Sequence, residues 1–301
     1  IYYGLAVLFA LLALLSKGQA ITIPAMLVLV GLYLGHSYRT KKFWLDKIPF
    51  ALITLFFAYK TFTAPQYASG NYLAVSYLGA SVPLLYRPVY ACYGFIQYII
   101  LLLVPYKLSV VHPYPRNNGS YILPAYFYLY FIPLAALAYV FFKYALKNPT
   151  RWFGLGFYAI NIAMLLQLIP NGYSLLNDHY VYFAGIGIFF LTAQISFEKL
   201  PGQKIWLAAA LVYLAALSVG THFRIQAFRN SFSLWNDVIE KYPDEAVAYY
   251  NRGKVYESQE KYDQAVEDYT QAIKLNPKLL RCYVGRAIIN YKRGQYNNEL
   301  A

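Results

Sequence analysis

The sequence predicts an all-α protein in two parts, a polytopic helical membrane domain followed by an α-α solenoid. Three observations point there. Hydrophobic residues make up 59% of the 301-residue chain and only 13% of residues are charged, about half the charged share of an ordinary soluble domain. Several apolar runs approach or pass the ~18 residues that cross a bilayer as a helix. After Gly220 the composition turns polar, and small and aromatic residues begin to recur at a spacing of 34.

Apolar spans are expected at 2–15, 20–36, 48–63, 121–142, 152–170, 181–197 and 205–222. They give a membrane domain over 1–222 with about seven crossings, the first two sharing the hinge Ser16-Lys17-Gly18-Gln19. Lys and Arg collect in the short loops that face the cytoplasm. His36–Lys47, Lys143–Arg151 and Glu198–Lys204 carry such clusters, and placing all three inside lets the seven spans alternate. The outer face then holds 16–19, the large loop 64–120, 171–180 and everything after 222. Within that loop, PVYACYGFIQYIILLLV (88–104) is assigned by the charge pattern to a helix in the outer interface. PYKLSVVHPYPRNNGS, with three prolines, is expected to be irregular. The chain opens without Met inside an apolar run and stops inside a helical pattern, so it reads as a fragment cut at both ends.

Charge is divided unevenly. Residues 1–223 carry 14 Lys/Arg against Asp46, Asp178 and Glu198, a net of +11, whereas 224–301 carry 12 against 10 acids. The basic excess belongs to the membrane part. It argues against a nucleic acid partner and for membrane lipid headgroups or a lipid-linked phosphate. Cys92 and Cys282 lie far apart in the chain and match no metal spacing.

Residues 246–279, AVAYYNRGKVYESQEKYDQAVEDYTQAIKLNPKL, have the form of a tetratricopeptide repeat (TPR). Gly253, Ala265 and Ala272 fall where its two helices cross closely. Tyr249, Tyr256, Tyr262 and Tyr269 fill the large positions, and Pro277 ends the second helix. Arg252 stands where Leu is usual. A second repeat begins at Leu280, with Tyr283, Ala287, Gly294 and Tyr296 in phase, so that 246–301 holds one repeat and the start of another. Trp235 and Pro243 precede Tyr269 and Pro277 by 34 residues. The connecting segment 223–245 should therefore contain the second helix of a preceding half-repeat at 230–242. Repeats need neighbours to cover their apolar faces, so further repeats are expected.

With Asp46 and Glu198 inside, Asp178 is the one outer-face carboxylate of 1–223. Around it are Lys17, Arg87, Lys107, His112, Arg116 and His179. Many cations and one acid suit a bound phosphate, which accepts charge-assisted hydrogen bonds. Each residue also has a plain structural role open to it. Lys17 can snorkel, while Arg87, Lys107 and Arg116 can anchor an interface. Asp178 can cap a helix N-terminus. His179, among tyrosines at a membrane boundary, is suited to a phosphate or sugar hydroxyl, since polar groups at membrane depth line functional cavities.

Four stretches resemble one family. LALLSKGQAITIPAMLVLV is similar to an LLSKE-x-A-x-x-x-P hinge, and LLLVPYKLSVVHPYP to an L-x-x-P-x-x-L-S-x-x-Y-P loop. NDHYVYFAGIG is similar to D-R-Y-x-Y-x-P-x-x-G, with Tyr182 as its second Tyr. RNSFSLWNDVIEKYP resembles the join between the last span and the repeats. The family is that of GT-C-type polytopic glycosyltransferases with C-terminal TPRs, such as the transmembrane and TPR-containing O-mannosyltransferases. Gly18-Gln19 stand where the hinge motif has Glu, His179 stands for its Arg, and Ala184 for its Pro.

The resemblance implies transfer of a sugar from a polyprenyl-phosphate donor to a protein acceptor held by the TPRs, on the periplasmic or lumenal face. The membrane would be a bacterial inner membrane, or the ER membrane in a eukaryote. It also implies a catalytic acid upstream of Ile1, hence no catalytic residue in this chain. Lys17, Arg87, Lys107, Arg116, Asp178, His179 and Tyr182 would bind the donor. Some members use a divalent cation and others none, and no metal site is visible here. Two other readings stand beside it: a non-enzymatic membrane-anchored TPR scaffold, and a ligase or polymerase of polyprenyl-linked glycans.

Overall fold

The computed structural model describes residues 2–63, 82–117, 120–145, 147–168, 174–198 and 203–294. The chain forms two compact units. The first draws on 1–105, 123–172 and 178–199, the second on 106–122, 173–177 and 200–301.

The first unit is helical. Helix α1 (Tyr2–Ser16) is apolar throughout and stops at Lys17, whose extended backbone precedes a 3-10 turn, Gly18–Thr22. Helix α2 (Ile23–Tyr33) starts with Pro24 in its first turn, where a missing N–H leaves no bond unmade. Gly35, at φ +78°, ends it in the left-handed conformation that glycine adopts without strain. Then follow α3 (Lys41–Leu45), α4 (Ile48–Thr63) and α5 (Tyr86–Leu103). A 3-10 turn, Ala125–Tyr130, runs into α6 (Phe131–Val140) and a π turn, Phe141–Ala145. Helix α7 (Pro149–Ile162) is capped by the Asn148 side chain, which accepts from the amides of Thr150 and Arg151. The turn Asp178–Tyr180 leads into α8 (Val181–Glu198).

Glycine decides how closely α7 and α8 cross. A Cβ on Gly187 would lie 2.4 Å from the Gly154 carbonyl oxygen, a contact that only bare backbone permits. The Tyr158 hydroxyl donates to the Phe95 carbonyl (2.5 Å) and ties α7 to α5. Thr22 and Asn161 share a hydrogen bond of 3.1 Å between the first hinge and α7. Helix α5 covers the stretch expected to lie in the interface, and Val89, Tyr90, Ile96, Tyr98 and Leu101 along it are buried.

The second unit contains α9 (Gln203–Ala227), α10 (Ser231–Lys241), α11 (Ala246–Ser258), α12 (Tyr262–Leu275) and α13 (Leu280–Lys292). Helix α10 opens with a reciprocal cap between Asn230 and Ser233. The unit also contains four short strands, a correction to the all-α expectation. Strand β1 (His112–Pro113) pairs antiparallel with β4 (Ser174–Leu176), and β2 (Arg116–Asn117) with β3 (Ser120–Tyr121). The prolines that forbid helix in 105–122 leave its backbone groups to pair elsewhere. The segment forms a strap on α10: Val111 packs with Val238 and Ala248, framed by Val110, Trp235, Ile239 and Tyr242. Lys241 donates to the Leu108 carbonyl (2.7 Å), and His112 Nδ1 is hydrogen-bonded to the Tyr242 hydroxyl (2.8 Å).

The membrane expectation is met only in part. Among the described residues, two helical stretches are long and apolar enough to cross a bilayer, Ala125–Tyr144 and Lys204–Ala227. The first two spans become the shorter helices Tyr2–Ser16 and Gly18–Tyr33. The run 152–170 leaves the α-helix after Ile162 and passes through Gln167 at φ +57°. An apolar run sets composition, but caps and turns set helix length, and the two differ here. Residues 64–81 of the expected outer loop and Tyr296 of the second repeat lie outside the described residues.

Candidate functional site

The first cluster gathers where the α1–α2 hinge meets the start of α8. Lys17 Nζ stands 4.6 Å from the centre of the Tyr180 ring and 5.7 Å from that of Tyr182, within cation–π range. The Gln19 side chain donates to the Tyr180 carbonyl (3.3 Å). The His179 ring lies 3.9 Å from the Tyr180 ring, centre to centre. Burial pushes the His179 imidazole below its ordinary pKa; Lys17 pushes it further, and Asp178 pulls it back. The cluster therefore presents a lysine cation, an imidazole biased to its neutral form and the exposed Tyr182. Asp178 opens the 3-10 turn that becomes α8.

The other sequence candidates stand elsewhere. Arg87, at the start of α5, donates to the Val82 carbonyl (3.5 Å). Lys107 and Arg116 belong to the second unit. Lys107 sits in the strap at φ +46°, an uncommon conformation for a side-chain-bearing residue. Arg116 lies on β2, and its side chain is outside the described residues. Of the seven candidates, Lys17, Asp178, His179 and Tyr182 are brought together. Among the described residues no group of three His, Cys, Asp or Glu side chains could hold a metal ion.

The second cluster is built on α10, α11 and α12. Arg252 makes a two-pronged ion pair with Asp268, Nε to Oδ2 at 2.8 Å and Nη2 to Oδ1 at 2.7 Å. Its third nitrogen donates to Asn236 Oδ1 (2.6 Å). One guanidinium thus joins three helices while lying near the rings of Tyr249 and Tyr256. The Asp268 hydrogen bonds raise the Arg252 pKa against the opposing effect of burial. A cavity of about 440 Å³ opens beside it, lined also by Gln264, Glu267 and Lys274.

Between α11, α12 and α13, the Tyr269 ring fills the space left by two glycines. A Cβ on Gly253 would lie 2.8 Å from it, and one on Gly285 2.6 Å. Its hydroxyl donates to the Glu257 carboxylate (2.6 Å), which also pairs with Lys254 (3.0 Å). Burial raises the Glu257 carboxyl, but the Tyr269 and Lys254 hydrogen bonds and the Lys254 and Lys292 charges together hold it below the usual range.

The family model of the tetratricopeptide repeat matches residues 246–279. These residues are a TPR. Helices α11 and α12 are its two members, and Tyr269, Gly253, Ala265 and Ala272 are its packing positions, Ala265 and Ala272 being fully buried. The chain is 32% identical over 79 residues to serine/threonine-protein phosphatase 5 of Homo sapiens and, equally, to that of Rattus norvegicus. The similarity covers 26% of this chain, which spans 16% of each phosphatase. No solved structure matches the chain significantly. The TPR carries no glycosyltransferase activity; that resemblance rests on the four sequence motifs alone.

Sequence reasoning singled out Arg252 as a departure from the TPR pattern but not its partners. Asp268 follows it by 16 residues, the distance from one helix of the repeat across the turn to the facing turn of the next. That spacing is the signal that could have found the pair. His112, counted among the outer cations, is engaged with Tyr242 in the strap.

Proposed function

We propose that this chain is a membrane-anchored scaffold that holds a protein partner through its TPR and the helix that follows. The TPR at 246–279 carries this reading. Its stacked helices present a continuous surface, and solenoids of this kind use such surfaces for binding. Anchorage rests on Ala125–Tyr144 and Lys204–Ala227, whose mean hydropathies are 1.8 and 1.7. The latter stretch has no buried residue in its apolar window, and a helix apolar on every side is stable in lipid. The test is a peptide-library selection against the full chain in detergent, with Lys254→Glu as the comparison. Selected peptides should bind the native chain and lose at least about tenfold in affinity to the variant. A library that yields no binder, or binders indifferent to Lys254→Glu, overturns the reading.

A second reading, donor binding by a polyprenyl-phosphate glycosyltransferase, is favoured by one observation, the convergence of Lys17, Asp178, His179 and Tyr182. Lys17 would hold phosphate charge and the His179 N–H would donate to it, with Tyr182 at the edge of the sugar. Photo-crosslinking with a polyprenyl-phosphate analogue tests it. Labelling near Tyr180, lost in Lys17→Ala, supports donor binding; labelling that is absent or unchanged in the variant rejects it.

A further inference from the structure

Helix α13 carries a stripe that its own solenoid leaves open. Cys282, Gly285 and Ile289 face inward and are buried. Arg281, Val284, Ile288 and Lys292 follow one another at helical spacing on another line. Val284 is 58% exposed and Ile288 40%. The 34-residue phase shows that a following helix would not cover this line. It places Val284 over Tyr250 and Ile288 over Lys254. Helix α11 is already flanked by α10, α12 and α13, and yet the Lys254 side chain remains 50% exposed.

The charge on this face has one sign. No Asp or Glu occurs between Tyr269 and Gly294, whereas Lys278, Arg281, Arg286, Lys292 and Arg293 do. The nearest acid on the neighbouring helix, Glu257, is already taken by Lys254 and Tyr269. Among the described residues Arg281 makes no ion pair.

Resting on the scaffold reading above, we infer that this face of α13 binds an extended acidic segment of a partner protein, two acidic residues bracketing two apolar ones. The spacing follows from helix geometry. Arg281 and Lys292 are roughly 16 Å apart along the axis at ~1.5 Å per residue, and Val284 and Ile288 about 6 Å. An extended chain advances ~3.3 Å per residue and turns alternate side chains to one side. Two apolar side chains two residues apart therefore meet Val284 and Ile288, with an acid two residues beyond each to reach Arg281 and Lys292.

The probe is the fluorescent heptapeptide Glu-Ser-Val-Ser-Leu-Ser-Glu, titrated by anisotropy against the full chain in phosphatidylcholine nanodiscs. Binding should weaken in high salt and fall about tenfold in Arg281→Glu and in Ile288→Ser. It should vanish when both Glu of the peptide become Lys. Both variants lie on the surface, and an unchanged melting temperature shows that they fold. Three outcomes overturn the inference. The first is failure of this peptide while library peptides still bind in a Lys254-dependent way, which spares the scaffold reading. The second is peptide binding lost in discs containing phosphatidylserine, which gives the face to anionic lipid. The third is concentration-dependent self-association abolished by Ile288→Ser, which gives it to a second copy. Failure of this peptide and of the library together overturns the scaffold reading as well.

Discussion

Arg252 shows how one residue can depart from a repeat's pattern and still serve its packing. The usual apolar side chain would fill the seam; the guanidinium ties it, because Asp268 and Asn236 satisfy its three nitrogens. Removing one partner of a buried charge pair leaves the other uncompensated, whereas replacing both with apolar groups is often neutral. Asp268→Ala should therefore destabilise the second unit by about 3 kcal/mol, and Arg252→Leu combined with Asp268→Leu should recover most of the loss. Chemical denaturation of the full chain in detergent, followed by circular dichroism, checks both. His179 gives a prediction of opposite electrostatic sense. Its pKa in the fold is lowered from 6.5, so its contribution to stability is full above that value. The contribution is lost as pH falls through the lowered pKa, because the unfolded chain then binds the extra proton. A histidine NMR titration should find His179 below 6.5, and Lys17→Ala should shift it upward by removing a nearby positive charge. Cys282 is a simpler case. Burial pushes its thiol up to about 12, so at pH 8 it should resist maleimide in the folded chain and react on unfolding.

At the scale of elements, Tyr269 is the pin of the TPR. It occupies the space of two absent Cβ atoms, on Gly253 and Gly285, so alanine at either position forces ring and backbone apart. Each substitution should cost about 1–3 kcal/mol as an overpacked site, read as a lowered denaturation midpoint. The strap 106–122 is the second element with a consequence. Its Val111 fills the face of α10 that a preceding helix would otherwise cover, and Val111 is 1% exposed. Solenoids need such caps, because a terminal repeat otherwise leaves its apolar face in water. Charging the contact with Val111→Asp should expose the 230–242 helix to protease while α12 and α13 stay protected, a pattern that limited proteolysis with mass spectrometry resolves.

At the scale of the molecule, the chain divides between a helical unit with an internal polar cluster and a repeat unit with an open basic face. Residues in contact usually follow one another in sequence within the TPR, as α10 to α13 do. The strap is different: His112 reaches Tyr242 across 130 residues and Ser174 across 62. The whole chain should therefore lose the strap's protection of α10 when residues 173–177 are deleted, since β1 then has no partner.

What the sequence determined by itself was whatever depends on local order. The TPR, its helix ends, the half-repeat at 230–242 and the apolar character of 125–144 and 204–227 follow from spacing, capping residues and composition, which act within a few turns of helix. Local order also raised Lys17, Asp178, His179 and Tyr182 as candidates. It could not show that these four meet, that Arg87 turns to its own helix start, or that Lys107 and Arg116 belong to the other unit. Tertiary structure decided those points, and it decided which apolar runs became helices long enough to span. The strands at 112–113 and 174–176 and the Arg252–Asp268 pair have the same origin. They are closed by contacts between distant segments, whose energy depends on the burial and partners that the rest of the fold supplies.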